Sequence, residues 1–258
     1  MLNFKFVNII IVIVLFALLI MSYVHGLSLW FLLIVPIVWF LMTLFGSFLI
    51  RWNYHFKSLH ANKTIKENQI AITFDDGPHP EFTPKVLELL KKHNAKATFF
   101  CIGKYIEAYP KVFSDIIKQG HTVGNHTYSH TKFFGFLKTE DVIEELQKTN
   151  DIVEVSSGLT MQLYRPAFAV TNPRIKKALK VTKLLSIGWS VRSLDTTART
   201  SEMIFKRTTK NLSKGDVVLL HDTSLKSIVV LERLLLFLHE QNMESVTIDS
   251  LFNIKAYA

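Results

Sequence analysis

Gln69-Ile70-Ala71-Ile72-Thr73-Phe74-Asp75-Asp76-Gly77-Pro78 reads as a buried strand that runs into a polar turn: an apolar, β-rich run to Phe74, then two carboxylates and a Gly-Pro break. Thr83 to His93 follows with Val86, Leu87, Leu89 and Leu90 at helical spacing. The same step then repeats along the chain. Ala97 to Cys101 reads as a strand before a helix over Ile102 to Lys118. His121 to Gly124 is a third strand, followed by a polar loop and a helix over Glu140 to Val155, on which Glu144 and Glu145 precede Lys148 on one face. Leu163 to Tyr164, Lys183 to Gly188, Asp216 to Leu220 and Val246 to Ile248 supply further strands. Arg174 to Leu179, Ser201 to Asn211, Ile228 to His239 and a short terminal segment supply helices. Repeated strand-helix units imply parallel strands joined by right-handed crossovers, and about seven of them predict an α/β barrel.

Upstream the composition changes. Residues 1–50 of this 258-residue chain hold one charged side chain, Lys5, while the rest of the 30 Lys+Arg and 21 Asp+Glu follow. Phe6 to Val24 and Leu27 to Ile50 are uncharged runs, each long enough to span about 30 Å of hydrocarbon. Only His25 and Gly26 separate them, so they predict a two-helix transmembrane hairpin with both ends on one side. A cleaved signal peptide is the alternative for the first run, but no small-x-small site follows it. The chain thus divides into a hairpin over 1–50, a basic juxtamembrane linker over 51–67 and a catalytic-sized domain over 68–258. In the linker Arg51, Lys57, Lys63 and Lys66 precede the first acid, Glu67, as in segments that meet anionic lipid head groups. This accounts for part of the net charge of +9 without nucleic acid, for which no helix-turn-helix, RNA-binding strand or long basic block is present. The single cysteine, Cys101, excludes an internal disulfide and a multi-cysteine metal site.

In a barrel the residues just after each strand converge on one face, and here they carry chemistry. Asp75 and Asp76 follow the first strand, His126 and His130 the third, Arg165 the fourth and His221-Asp222 a late one, with Asp195 beyond the fifth. One carboxylate and the imidazoles of His126-Thr127-Tyr128-Ser129-His130 make a two-His, one-Asp set of the kind that holds catalytic zinc and leaves positions open for water. The neighbouring carboxylate is placed to take a proton as general base, and His221 to protonate a leaving group. Singly these features have plainer readings: a turn, a spaced histidine pair on a solvated helix, a surface arginine, a partly buried histidine.

Thr73-Phe74-Asp75-Asp76-Gly77-Pro78, His126-Thr127-Tyr128-Ser129-His130, Arg165-Pro166, Asp195 and Leu219-Leu220-His221 together resemble, in order and spacing, the five motifs of the polysaccharide deacetylase family, also called the NodB-homology or carbohydrate esterase family 4 domain. The resemblance covers about residues 68 to 252. It implies a distorted (β/α) barrel that uses a divalent metal, Zn²⁺ or alternatively Co²⁺, Ni²⁺ or Mn²⁺, to remove acetyl groups from N-acetylated sugars. By that resemblance Asp75 is the general base, and Asp76, His126 and His130 are the metal ligands. Arg165 pairs with the base, His221 is the general acid, and Asp195 orients His221 and raises its pKa. Leu219 forms the wall for the acetyl methyl, and the backbone N–H of Phe168 joins the oxyanion site. The third motif differs from the usual Arg-Pro-Pro-Tyr-Gly in reading Arg165-Pro166-Ala167-Phe168-Ala169, and Thr196 stands where the fourth motif carries Trp.

These readings predict a hydrolase of linear amides in an inner or plasma membrane, cleaving an N-acetyl or N-formyl group from an aminosugar. Its partners are an N-acetylated glycan or a lipid-linked aminosugar, together with membrane lipids. The positive-inside rule puts the domain in the cytoplasm, where lipid-linked sugars lie, whereas the family resemblance points outward to peptidoglycan and exported glycans. An inactive, membrane-anchored carbohydrate-binding barrel is the reading from a different class. Retention of every proton-transfer and ligand side chain opposes it.

Overall fold

The computed structural model describes residues 3–28 and 30–258. Two long helices, α1 (Phe4–His25) and α2 (Trp30–Phe48), precede the domain. It comprises β1 (Gln69–Asp75), α3 (Phe82–Lys92), β2 (Ala97–Cys101), α4 (Gly103–Ala108), α5 (Pro110–Lys118), β3 (Thr122–Asn125), α6 (Thr139–Ser157) and β4 (Leu163–Tyr164). Then come α7 (Pro173–Thr182), β5 (Leu185–Ser186), β6 (Val191–Arg192), α8 (Ser201–Thr209), β7 (Val217–His221), α9 (Leu225–Glu240), β8 (Glu244–Ser245) and α10 (Ile248–Phe252).

The strands form one parallel sheet in the order β5-β4-β3-β2-β1-β7-β6, with β8 added to the start of β1. Alternation along β1 separates its two faces. Ile70, Ile72 and Phe74 pack outward in a cluster with Val86, Leu87 and Leu90 of α3 and Leu231 and Leu234 of α9. Ala71 turns to the interior of the curl, which is filled by Phe100, Leu163, Ile187, Trp189, Val217 and Leu219. Thr73 and Asp75 continue that inner face, so the packed interior passes into the polar end of the sheet. Register then aligns the chemistry: Asp75 lies beside His221 on β7, and Asn125, just before His126, lies beside Tyr164, just before Arg165.

The sheet curls as a barrel does without closing. Its edges, β5 and β6, are neighbours in sequence, and the segment before the domain lies along the gap. Leu59 N–H donates to the Ser186 carbonyl (2.9 Å), Gly188 N–H donates to Leu59 (2.7 Å), and Asn62 N–H donates to Gly215 (2.7 Å). The residues read as a basic linker are therefore partly built into the domain, and Lys63 reaches Asp216 at 2.6 Å. Other differences have local causes. The helix expected over 102–118 breaks at Tyr109, because Pro110 offers no N–H and disfavours a helical residue before it. The fifth strand shortens because Lys183 caps α7 in the left-handed region (φ 57°). The last strand falls at 244–245, since Thr247 caps a helix that begins at Ile248. β6 had no signal beyond Val191.

α1 and α2 pack against each other through a turn at Gly26, and both are long and apolar enough to cross a membrane. Asn8 accepts a hydrogen bond from Trp39 Nε1 at 2.7 Å between them. The pair also meets the domain. Tyr54 sits on Gly46, where any Cβ would strike its ring, and its carbonyl accepts from Phe4 N–H (2.9 Å). Thr171 N–H donates to the Ser47 carbonyl at 2.8 Å.

Gly215 tests the gap-bridging segment. Its φ is +80°, and an added Cβ would strike the Asn62 carbonyl. Gly215→Ala should lower stability by about 2 kcal/mol or more, from left-handed strain plus loss of that pairing, read as a fall in thermal midpoint. An unchanged midpoint would show that the segment contributes nothing to the fold.

Candidate active site

The end of β1 splits two adjacent carboxylates between two tasks. Asp75 is still in the strand and buried, while Asp76 enters the left-handed region (φ 72°) and faces the opening of the curl. Asp76 Oδ1 lies 3.3 Å from His126 Nε2 and 3.4 Å from His130 Nε2. The ligand atoms of the three residues all fall within 4.8 Å of one another. His126 Nδ1 is 3.0 Å from the Arg165 carbonyl, which fixes it as the N–H and leaves the Nε2 lone pair toward Asp76. Two imidazole nitrogens and a carboxylate, converging on one point beside an open groove, fit a divalent cation of the zinc type.

The loop that carries the histidines is held by side chains whose role the sequence did not reveal. Asn125 Oδ1 accepts from Thr127 N–H (2.8 Å), and its amide donates to Leu146 and Asn150 on α6 (2.8 Å each). Glu145, read as part of a surface charge pattern toward Lys148, instead accepts from the N–H groups of Tyr128 (3.0 Å) and Ser129 (2.8 Å). Lys148 rests over the Tyr128 ring at 3.6 Å. Burial lowers the His130 pKa to about 4, with His126 adding to the fall. Burial alone would raise Asp76, but the hydrogen bond and charge of His126, with His221 and His130, hold it well below the usual carboxylate range.

Arg165 and Asp75 form a buried pair at 2.9 Å. The guanidinium also donates to Thr73 Oγ1 (2.6 Å) and to the carbonyls of Ile187 (3.3 Å) and Gly188 (2.9 Å), and it stacks on Phe100. Across from it, His221 Nδ1 is 2.8 Å from Asp195 Oδ1, and Nε2 faces Asp76 at 3.8 Å. Asp195 has no exposed surface and is itself held by Ser193 (2.8 Å), Ser227 (2.7 Å) and the His221 N–H (2.8 Å). Burial alone would lower His221, but the hydrogen bond and charge of Asp195, with Asp75 and Asp76, push it up to about 9. Ser193 and Ser227 carry no motif, and only their position around Asp195 identifies them.

Phe168 and Ala169 take φ of 54° and 62° in succession, and the Phe168 ring lies 4.4 Å from that of His130. The Cβ of Ala169 in this region costs about 1–2 kcal/mol that a glycine would not. Leu219, two residues before His221 on β7, is buried in the inner core beneath the site. Asp222 hydrogen-bonds Thr83 through a short contact and has its other oxygen buried without a partner. Burial raises it to about 7, and Asp76 adds to the rise. A groove of about 430 Å³ leads from Asp76 and His130 along Pro78, Ile102, Tyr105 and Tyr109. The structure thus brings Asp75, Asp76, His126, His130, Arg165, Asp195 and His221 together, with Phe168 at the rim and Leu219 below.

The family profile described as Polysaccharide deacetylase matches residues 62–185. The peptidoglycan-N-acetylmuramic acid deacetylase PdaC of Bacillus subtilis is 32% identical over 200 residues, which are 77% of this chain and 42% of PdaC. A peptidoglycan-N-acetylglucosamine deacetylase of Bacillus cereus is 33% identical over 199 residues, 73% of this chain and 90% of that protein. The structure of peptidoglycan deacetylase PdaC from Bacillus subtilis superposes with a TM-score of 0.69 at 30% identity, over 73% of this chain and 91% of that one. The chain spans less than half the length of full PdaC.

The His221–Asp195 pair is open to direct titration. A histidine raised to about 9 keeps its proton through neutral pH and releases it only as pH climbs through that value. In metal-free protein the imidazole resonance of His221 should titrate near pH 9. In Asp195→Asn, where burial is no longer answered by that carboxylate, the midpoint should move down by two units or more, about 3 kcal/mol. An unmoved midpoint would detach Asp195 from His221.

Proposed function

The chain belongs to the polysaccharide deacetylase family, amide hydrolases acting on N-acetyl groups, and from that premise we propose that it removes the acetyl group from an N-acetylated aminosugar of a peptidoglycan-type glycan. Water is consumed, and acetate and a free amine leave. The observation that carries this reading is the placement of Asp75 and His221 as neighbours in register on β1 and β7, beside the Asp76, His126 and His130 cluster.

Asp76, His126 and His130 would hold a divalent cation, which when bound supplies Lewis acidity toward water and the amide carbonyl. Asp75 takes the proton of the attacking water, with its carboxylate held by Arg165. His221 gives its proton to the amine nitrogen as the C–N bond breaks, and Asp195 keeps its Nδ1–H in place so that Nε2 faces the reaction. The Phe168 N–H donates to the developing oxyanion, and Leu219 lies under the acetyl methyl. The sugar occupies the groove beside Tyr105 and Tyr109. The relatives' names, for N-acetylglucosamine and N-acetylmuramic acid in peptidoglycan, support this substrate class.

The hairpin of α1 and α2 anchors the domain in an inner or plasma membrane, and a glycan substrate puts the domain outside. A second reading, a lipid-linked aminosugar deacetylated or deformylated on the cytoplasmic face, is favoured by one observation: Lys5, Arg51 and Lys57 flank the outer ends of the hairpin and no cation lies in its turn. Paired reporters fused after Ala258, active only inside or only outside, decide between them. An inert carbohydrate-binding barrel is opposed by the completeness of the pairs Asp75–Arg165 and His221–Asp195.

Asp75→Asn should lower turnover of N-acetylated glycan oligomers by about 10²–10⁴, with metal binding retained. A chelator should abolish activity and Zn²⁺ restore it. Unchanged turnover in Asp75→Asn would overturn the base assignment, and full activity in chelator would overturn the role of the Asp76 cluster. The fragment used should retain the segment from Asn53, since residues 59–62 pair with the sheet.

A further inference from the structure

Where α2 ends at Phe48 the chain turns over β6 and α8, and a cleft of about 620 Å³ opens there, lined by none of the candidate catalytic residues. This size lies within the roughly 300–1,000 Å³ range of small-molecule sites. Its walls bring five cations together from three parts of the chain: Arg51, Arg192, Lys206, Arg207 and Lys210. Among the described residues that line it there is no carboxylate. Lys206 reaches Glu202 at 3.3 Å outside the cleft. Arg207 donates its Nε to the Arg192 carbonyl (2.9 Å), and Arg51 reaches the Ser190 carbonyl at 3.5 Å, contacts that fix both guanidinium groups without neutralising them. Five like charges at one concavity repel one another and focus a positive potential that an anion relieves.

The other wall is apolar. Phe48 and Leu49, at the end of α2, line the cleft and are 52% and 41% exposed. α2 rises about 28 Å at 1.5 Å per residue, close to the hydrocarbon thickness of about 30 Å, so its end at Phe48 stands at the level of the lipid head groups. A cationic floor beside an apolar rim at that depth matches a molecule that joins a phosphate to acyl chains.

We propose that this cleft binds the headgroup phosphate of an anionic phospholipid. The inference rests on the reading of α1 and α2 as a membrane hairpin and is independent of the deacetylase assignment. Bound there, a lipid bridges the end of α2, β6 and α8 and fixes the domain against the bilayer surface.

Native mass spectrometry of the full chain in neutral detergent, with equal phosphatidylglycerol and phosphatidylcholine supplied, tests this. Phosphatidylglycerol should be retained preferentially. Arg192→Gln with Arg207→Gln, both exposed side chains, should weaken that retention by about twenty-five-fold, at roughly fivefold per charge removed. Lys91→Gln with Lys92→Gln, the same charge removed from α3, should leave it intact. Equal loss in both pairs would reduce the effect to diffuse surface charge and overturn the site. Displacement of the lipid by inorganic phosphate would assign the cleft to a free anion and overturn the lipid. If the arginine pair does not fold, Lys210→Gln carries the same test at about fivefold. Release of the chain from membranes by alkaline carbonate would overturn the hairpin reading, whereas a chain that stays embedded without preferring phosphatidylglycerol would overturn the cleft alone.

Discussion

A guanidinium with no exposed surface must have its charge and its donors answered by protein, and Arg165 organises this domain because so many parts of the chain do so. Asp75 and Thr73 come from β1, the carbonyls of Ile187 and Gly188 from the stretch after β5, and the stacking face of Phe100 from β2. Removing one partner of such a buried pair typically costs about 3–5 kcal/mol, because the other is left as an uncompensated charge. Strand order and curl are thereby tied to a single side chain. The same residue also orients the chemistry twice over: its side chain holds the Asp75 carboxylate, and its carbonyl receives His126 Nδ1–H, which sets the tautomer of a candidate ligand.

The opposite wall repeats this logic with another pair. Asp195 is buried and accepts from Ser193, Ser227 and the His221 backbone as well as from the imidazole, so it is immobile before it acts on His221. Asp75 accordingly faces a fixed cation, and His221 a fixed anion. The two stand side by side because β1 and β7 pair in register.

The two N-terminal helices also touch the candidate site. Thr171 lies three residues beyond Phe168, and its N–H bonds to the end of α2, so the loop that carries the candidate oxyanion donor rests against the anchor. Tyr54 and His55 pack on the same end of α2, Tyr54 against Gly46 and His55 Nε2 2.9 Å from Ser47 Oγ. The strained pair Phe168 and Ala169 is held from this side and by the His130 ring from the other. The end of α2, the rim of the groove and the cationic cleft thus meet in one region.

Local pattern was enough for the elements whose cause is local. The alternation of β1, the amphipathic spacing of α3 and the apolar runs of α1 and α2 are legible because burial acts at a fixed period. The motif residues Asp75, Asp76, His126, His130, Arg165 and His221 were legible because each ends or follows a strand, and parallel strands deliver their ends to one face. What only the tertiary structure decided depends on partners distant in sequence. Glu145 holds the His126–His130 loop rather than Lys148, Ser193 and Ser227 fix Asp195, and residues 59–62 close the gap that the sheet leaves open. Of the five cations of the cleft, Lys206, Arg207 and Lys210 share helical spacing at the end of α8, but nothing in the sequence relates them to Arg51 or Arg192. Their proximity is set by how the end of α2 packs on the domain, a contact between surfaces that no stretch of sequence contains by itself.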